Sequence, residues 1–301
     1  MEKMGICFLV ALGALSFSNS LNASAPERPH PAEKPIPGKS PISKLPPELK
    51  ARIFGESVSK IGEPPVKKFG ELSTNINEAL RQALITHKAH VKASSLNEHN
   101  VNALKRIGNL ELKVDNADDA TMGLIGELTN LIDLSIDSDI LTDQGLAKIR
   151  KLKILQSLFL EGAQITDAGL SVVKGLINLK SLSLPKNTTD AALDHLEKLK
   201  KLEDVSLAST QITDAGPEKL MELSNITIIN FSYTKITDVG LEKLKELPAL
   251  SFLDLDHTNI TDKGAAILKE FKHLTDLDLN GTKVTPQAKA DLRAKGIDVI
   301  G

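Results

Sequence analysis

The sequence predicts an α/β solenoid, a stack of short coils whose strands line up in one parallel sheet. Three observations carry this reading. A phrase of the form Ile-Thr-Asp-x-Gly returns at Leu141–Gly145, Ile165–Gly169, Ile212–Gly216, Ile236–Gly240 and Ile260–Gly264. Its full step is 24 residues, and the one irregular copy, Thr188-Thr189-Asp190-Ala191-Ala192, follows its predecessor by 23. A second pattern, Leu-x-x-Leu-x-Leu, runs in phase with the first, as at Leu155/Leu158/Leu160, Leu179/Leu182/Leu184 and Leu250/Leu253/Leu255. A period of roughly 20 to 30 residues marks a fold that presents a surface and needs no catalytic pocket.

Each part of the unit has a local cause. The Leu-x-Leu core has period 2, so both apolar side chains face one side of a strand. After Thr-Asp the spacing changes, and Leu241, Leu244 and Leu247 recur on one face of a short helix. Thr237 is placed to cap that helix, and Asp238 sits at the positive end of its dipole. The unit therefore reads strand, turn, short helix, turn. A lone unit would leave both flat sides wet. Stacking covers them and pairs the strands.

The rest of the chain divides by composition. Residues 1–25 read as a secretory signal: Lys3, an apolar run from Gly5 to Phe17, then Ala23-Ser24-Ala25. That run is too short to span a bilayer. Pro26 disfavours a cut just before it, so cleavage after Ser20 or Ala23 is the better fit. Cys7, the only cysteine, lies inside this segment, so the mature chain has no disulfide or thiolate chemistry. Residues 26–47 hold eight of the fourteen prolines and predict an extended, disordered linker. Residues 48–94 predict a helical N-terminal cap, with Phe69, Leu72, Ile76, Leu80 and Leu84 at helical spacing. An open solenoid end exposes its core and needs such a cover. Residues 95–301 form the repeat domain, about eight units, with Pro286 opening a last helix and Ile297–Ile300 closing the stack.

The consensus Leu-x-x-Leu-x-Leu-x-x-Thr-x-Ile-Thr-Asp-x-Gly-Leu resembles the leucine-rich repeat. Its form is similar to secreted bacterial proteins and to ribonuclease-inhibitor-like repeats, and the resemblance covers about residues 95–300. It implies a right-handed horseshoe with strands on the concave face, helices outside, and a role in binding proteins or other ligands. One departure stands out. The position usually held by Asn or Cys is Thr210, Thr234, Thr258 and Thr282 here. A hydroxyl can bond the turn backbone but offers fewer donors than an amide, which predicts a weaker inner hydrogen-bond ladder.

The strand residues between the buried leucines point to the concave face. Lysine is nearly absent from them and sits on the helices instead, as at Lys198, Lys243 and Lys269. Asp204, Asp254, Asp256, Asp276 and Asp278 make the concave face acidic. Asp254 and Asp278 should be neighbours, because adjacent strands lie ~4.8 Å apart. The cluster admits three readings: a solvated face that resists aggregation, a docking spot for a basic partner, or a Ca²⁺ site. Tyr233 and His257 flank it. Phe159, Ile228 and Phe252 are apolar where solvent is expected, the composition of a binding hot spot. His87 and His90 have i,i+3 spacing on an expected helix, which can begin a zinc site, but no further ligand supports one.

These features predict an exported, non-catalytic scaffold that binds another protein through its concave face. A basic partner surface, a monomer, no cofactor and no resident metal are expected. Export leaves the periplasm, the cell surface and the medium open. The net charge of −2 gives no bulk attraction to nucleic acid, and a chain with no Trp and one Tyr does not build an aromatic sugar or base platform. No nucleophile elbow, phosphate loop or dinucleotide fingerprint is present. Two other classes remain: a cell-envelope adhesin or host-interaction factor that binds a receptor or polysaccharide, and an enzyme with its catalytic unit in residues 48–94.

Overall fold

A computed structural model describes residues 87–301. The predicted signal and linker, and the predicted cap up to residue 86, lie outside the described residues. The ten strands pair in sequence order as one parallel sheet. They are β1 (Lys88–Lys92), β2 (Leu110–Asp115), β3 (Leu131–Asp137), β4 (Ser157–Glu161), β5 (Ser181–Ser183), β6 (Asp204–Ser206), β7 (Ile228–Asn230), β8 (Phe252–Asp254), β9 (Asp276–Asp278) and β10 (Asp298–Ile300). The central apolar residue stays in register down the stack. Leu134, Leu158, Leu182, Val205, Ile229, Leu253 and Leu277 are successive partners, and all are buried.

The expected helix at His87–His90 is corrected by β1. Residues 88–92 alternate outward and inward, with Ala89 and Val91 buried, so period 2 wins over the i,i+3 histidine spacing. His90 pairs with Asp115 on β2 at 2.7 Å instead of joining His87. The sheet thus begins before residue 95.

The return segments are short helices of two kinds. α1 (Glu98–Leu104), α2 (Asp119–Ile125), α3 (Asp143–Leu146), α4 (Gly216–Leu220), α5 (Asp238–Leu244), α6 (Asp262–Leu268) and α7 (Pro286–Ala294) are α-helical. Residues 147–151, 169–175 and 190–195 form tighter 3₁₀ turns. Among the described residues no helix is long and apolar enough to cross a membrane.

The Thr-Asp dipeptide does more than cap its own helix. Each aspartate reaches forward to the threonine of the next coil: Asp119 to Thr142, Asp143 to Thr166, Asp167 to Thr189, Asp190 to Thr213, Asp214 to Thr237, Asp238 to Thr261 and Asp262 to Thr285. One carboxylate oxygen accepts the threonine backbone N–H at 2.7–3.0 Å. The other accepts the threonine hydroxyl, at 2.6 Å in the Asp214–Thr237 and Asp238–Thr261 rungs. The same hydroxyl accepts a backbone N–H of its own coil, as Thr237 does from Val239 at 3.2 Å. Threonine suits the position because one hydroxyl can both donate and accept. The helix-dipole role expected of Asp238 is therefore secondary to a bond between coils.

This ladder also explains the glycine of the phrase. A methyl group at Gly169 would overlap the Asp143 carboxylate, and the same collision with the preceding aspartate recurs at Gly145 and Gly264. The inner threonines behave as anticipated for a hydroxyl. Thr210, Thr234, Thr258 and Thr282 each donate to the carbonyl three residues back, at 2.6–2.7 Å, and so brace their own turns without linking coils.

Asp143→Ala should cost about 2 kcal/mol, since hydrogen bonds to a charged group are worth more than neutral ones and two are lost. Gly169→Ala gains about 0.5–1 kcal/mol of backbone rigidity, less than the rung it disrupts, so it should also destabilise. In the Asp143→Ala background Gly169→Ala should cost markedly less than it does alone. Urea unfolding of the four proteins measures this coupling, and additive losses would refute the steric account.

At the C-terminal edge, Arg293 of α7 donates to the Val299 carbonyl through Nη2 (2.7 Å) and Nε (3.2 Å), and to the Gly301 carbonyl at 3.0 Å. Asp298 N–H and Ile300 C=O pair with β9, so the Val299 carbonyl faces away from the sheet. Arg293 occupies the acceptor that another strand would use. Arg293→Ala should raise concentration-dependent self-association in light scattering while the circular dichroism spectrum stays unchanged.

Candidate concave binding surface

The strands place the predicted site residues in ordered rows. Asn230, Asp254 and Asp278 are successive partners across β7, β8 and β9, and Ile228, Phe252 and Asp276 form the parallel row. The first of these rows has a local job. Each side chain accepts the backbone N–H two residues on, from Ser232 (2.7 Å), Asp256 (2.9 Å) and Asn280 (2.8 Å), and so closes the corner at the strand end.

Those positions carry an electrostatic cost. Burial pushes the Asp254 carboxyl up to about 6, against the lowering effect of the Asp256 backbone N–H and with added repulsion from Asp278 and Asp256. Burial likewise raises Asp278. Asp276 is exposed and accepts the Thr275 hydroxyl at 2.6 Å.

Beside the rows, Asp256 lies 2.6 Å from His257 Nδ1, and the His257 ring stacks on Tyr233 with centroids 4.4 Å apart and planes 10° from parallel. Burial, and next the Asp256 charge, raise the Tyr233 phenol. Tyr233, Asp254, Asp256, His257 and Asp278 therefore gather in one neighbourhood, with Phe252 and Ile228 half-buried next to them.

Phe159 stands apart from this cluster, and Asp204 borders it as the strand partner of Ile228. Phe159 is on β4, between Ser135 and Ser183. Asp204 is on β6 between Ser181 and Ile228, and only 8% exposed, where an open acidic position was expected. Its Oδ1 has no hydrogen-bond partner among the described residues, and burial, with repulsion from Glu203, pushes it up to about 6. Asp133 holds the same strand position on β3, three coils before Asp204. Burial raises it to about 6 against a hydrogen bond with Ser157. Its signal was its column: it lies opposite Ser157 on the same face.

A recess of about 460 Å³ lies elsewhere, on the helical side, lined by Arg150, Lys153 and Val172 among others. None of the predicted site residues lines it. Among the described residues no group of three His, Cys, Asp or Glu side chains is arranged to hold a metal ion.

The leucine rich repeat family profile matches residues 200–260, the stretch that includes β6 to β8. The chain folds as a leucine-rich repeat solenoid. Solved structures with similar coordinates include internalin C2 from Listeria monocytogenes str. 4b F2365, 20% identical, with a TM-score of 0.50 over 75% of this chain and 93% of that one. Internalin inlF from the same strain is 14% identical, with a TM-score of 0.42 over 75% of this chain and 86% of that one. No curated protein matches the leucine-rich repeat chain.

The buried acids give a pH dependence with a defined sign. The folded value of Asp204, about 6, lies above its ordinary 3.8. Its contribution to stability is complete below the ordinary value and is lost as pH rises through about 6. Asp204→Asn should therefore melt at a higher temperature than the parent well above that pH, and the two midpoints should converge in acid. Equal differences at both ends of the pH scan would exclude the linkage.

Proposed function

We propose that this protein is an exported, non-catalytic scaffold that docks a basic surface of a partner protein on its concave face at β7–β9. A repeat solenoid suits this role, because each coil adds a strip to one continuous surface. The observation that carries the proposal is the Asp254/Asp278 pair held in register beside the Tyr233–His257 stack. Burial raises both carboxyls, so a cation that approaches them relieves repulsion and restores their charge. Phe252 and Ile228 add apolar area to the same neighbourhood. The outer lysines support the polarity of the surface. Lys151, Lys245 and Lys269 pair with Glu127, Glu270 and Asp291 of adjacent coils and stay off the strands.

Export rests on the apolar run and small-residue site in residues 1–25. The monomer, the absence of a cofactor and the absence of nucleic-acid binding belong to the same reading.

A fluorescent arginine- and lysine-rich peptide, followed by anisotropy, tests it. Binding should weaken steeply as ionic strength rises. The Asp254→Asn, Asp278→Asn double variant keeps the corner hydrogen bonds, as Asn230 does, and removes the charges. It should bind about ten-fold more weakly at low salt and match the parent at high salt. A salt-independent affinity, or no loss in the double variant, would remove this surface from the account.

A further inference from the structure

The corners after β4, β6, β7, β8 and β9 hold residues in left-handed backbone: Gly162, Ser209, Tyr233, His257 and Gly281, with φ of 73°, 59°, 56°, 53° and 61°. Glycine takes this conformation freely, and bulky side chains rarely do. Two neighbouring members nonetheless carry rings, stacked at 4.4 Å. That separation is close to the ~4.8 Å between adjacent strands, so the stack axis follows the column. At one end His257 lies over Gly281, where a β-carbon would come within 2.7 Å of the ring. That side of the stack is closed.

The other end is open. Tyr233 is 54% exposed. Its neighbour on the preceding turn is Ser209, placed by the parallel bonds Ser209 N–H to Ser232 O and Tyr233 N–H to Asp256 O, both 2.8 Å. A serine side chain is too small to cover a ring face. The column therefore has a vacant place for one flat group, over Ser209 and against Tyr233.

We infer that this place receives the guanidinium of an arginine from the partner protein. The inference rests on the docking reading above and names its anchoring contact. A guanidinium is flat, positive and weakly hydrated, and it stacks on the electron-rich face of a phenol. Asp256 and Asp254 are close enough to the phenol to act on it, so they add attraction for the cation. Lys186 and Lys235 belong to the neighbouring turns and oppose cations of either kind, so the place discriminates by stacking rather than by charge. It favours a positive group with a face to stack, which an ammonium lacks.

Tyr233 is the only tyrosine of the chain, and there is no tryptophan, so its ring signals report this place alone. The mature protein is titrated with acetyl-Gly-Arg-Gly-amide and with its lysine counterpart, and the Tyr233 ring resonances are followed by NMR. The arginine peptide should shift them saturably and bind at least about three-fold more tightly than the lysine peptide. Ser209→Phe fills the vacancy with a ring in the backbone conformation that Tyr233 already adopts, and should abolish the response. Tyr233→Ala, read by anisotropy of a labelled arginine peptide, should lose the preference for arginine over lysine. No shift, equal affinities, or an unaltered response in folded Ser209→Phe would overturn the inference. If the arginine- and lysine-rich peptide still binds Ser209→Phe in a salt-sensitive way, the stacking contact falls and the broader docking surface stands. If the tripeptide shifts Tyr233 while the Asp254→Asn, Asp278→Asn variant binds that longer peptide like the parent, the docking surface falls and the stacking contact stands.

Discussion

The carboxylate-to-threonine rung is the interaction on which the other regularities depend. Apolar stacking alone is permissive, since any leucine can lie on any other. The rung is directional. It ties the two oxygens of one carboxylate to two fixed donors of the next coil, so it sets the offset between coils. The glycine three residues after each threonine follows from it, because the carboxylate occupies the space a β-carbon would need. Ala192 and Ala288 hold the equivalent places after Thr189 and Thr285. The first belongs to the 23-residue coil and the second to the terminal helix, so neither lies in a regular 24-residue coil.

A fixed offset on the convex side becomes a fixed spacing on the concave side. Strands from β5 onward are only three residues long. Such short ladders hold register poorly by themselves, and a slip of one residue would turn each leucine outward. The rungs prevent that slip. As a result the side chains between the leucines form straight rows, and residues 24 apart in sequence face the same way. Asp254 meets Asp278, and Tyr233 meets His257, because the coils cannot slide.

Much of this was legible in the sequence. The two phased motifs specify strand, turn, helix and the parallel order, and the row positions of Asp254 and Asp278 follow from the period. Three features were not legible, each for a physical reason. β1 carries only Ala89 and Val91 as its inward pair, so its alternation was weaker than the histidine spacing beside it. The rung joins residues 22 or 23 apart, and a motif read within one unit shows Asp238 only as a helix-end charge. Asp204 lies in an outward-facing row, yet its neighbours cover it, and burial within a row depends on side-chain shapes that periodicity does not encode. The Tyr233–His257 stack was visible as two flanking residues. Its geometry came from the left-handed corner, which glycine marks at Gly162 and Gly281 but not at the two ring-bearing positions.

The corner row separates what the fold requires from what it does not. Asn230, Asp254 and Asp278 make the same bond to a backbone N–H two residues ahead. Asn230 is buried and does so without charge, so a neutral amide is sufficient for the corner. The aspartates at the next two positions carry a burial penalty and repel each other, and the corner gains nothing that asparagine would not supply. An arrangement that is less favourable for folding alone, repeated on adjacent strands beside an exposed ring stack, is the pattern expected where a surface keeps its charge for a partner rather than for itself.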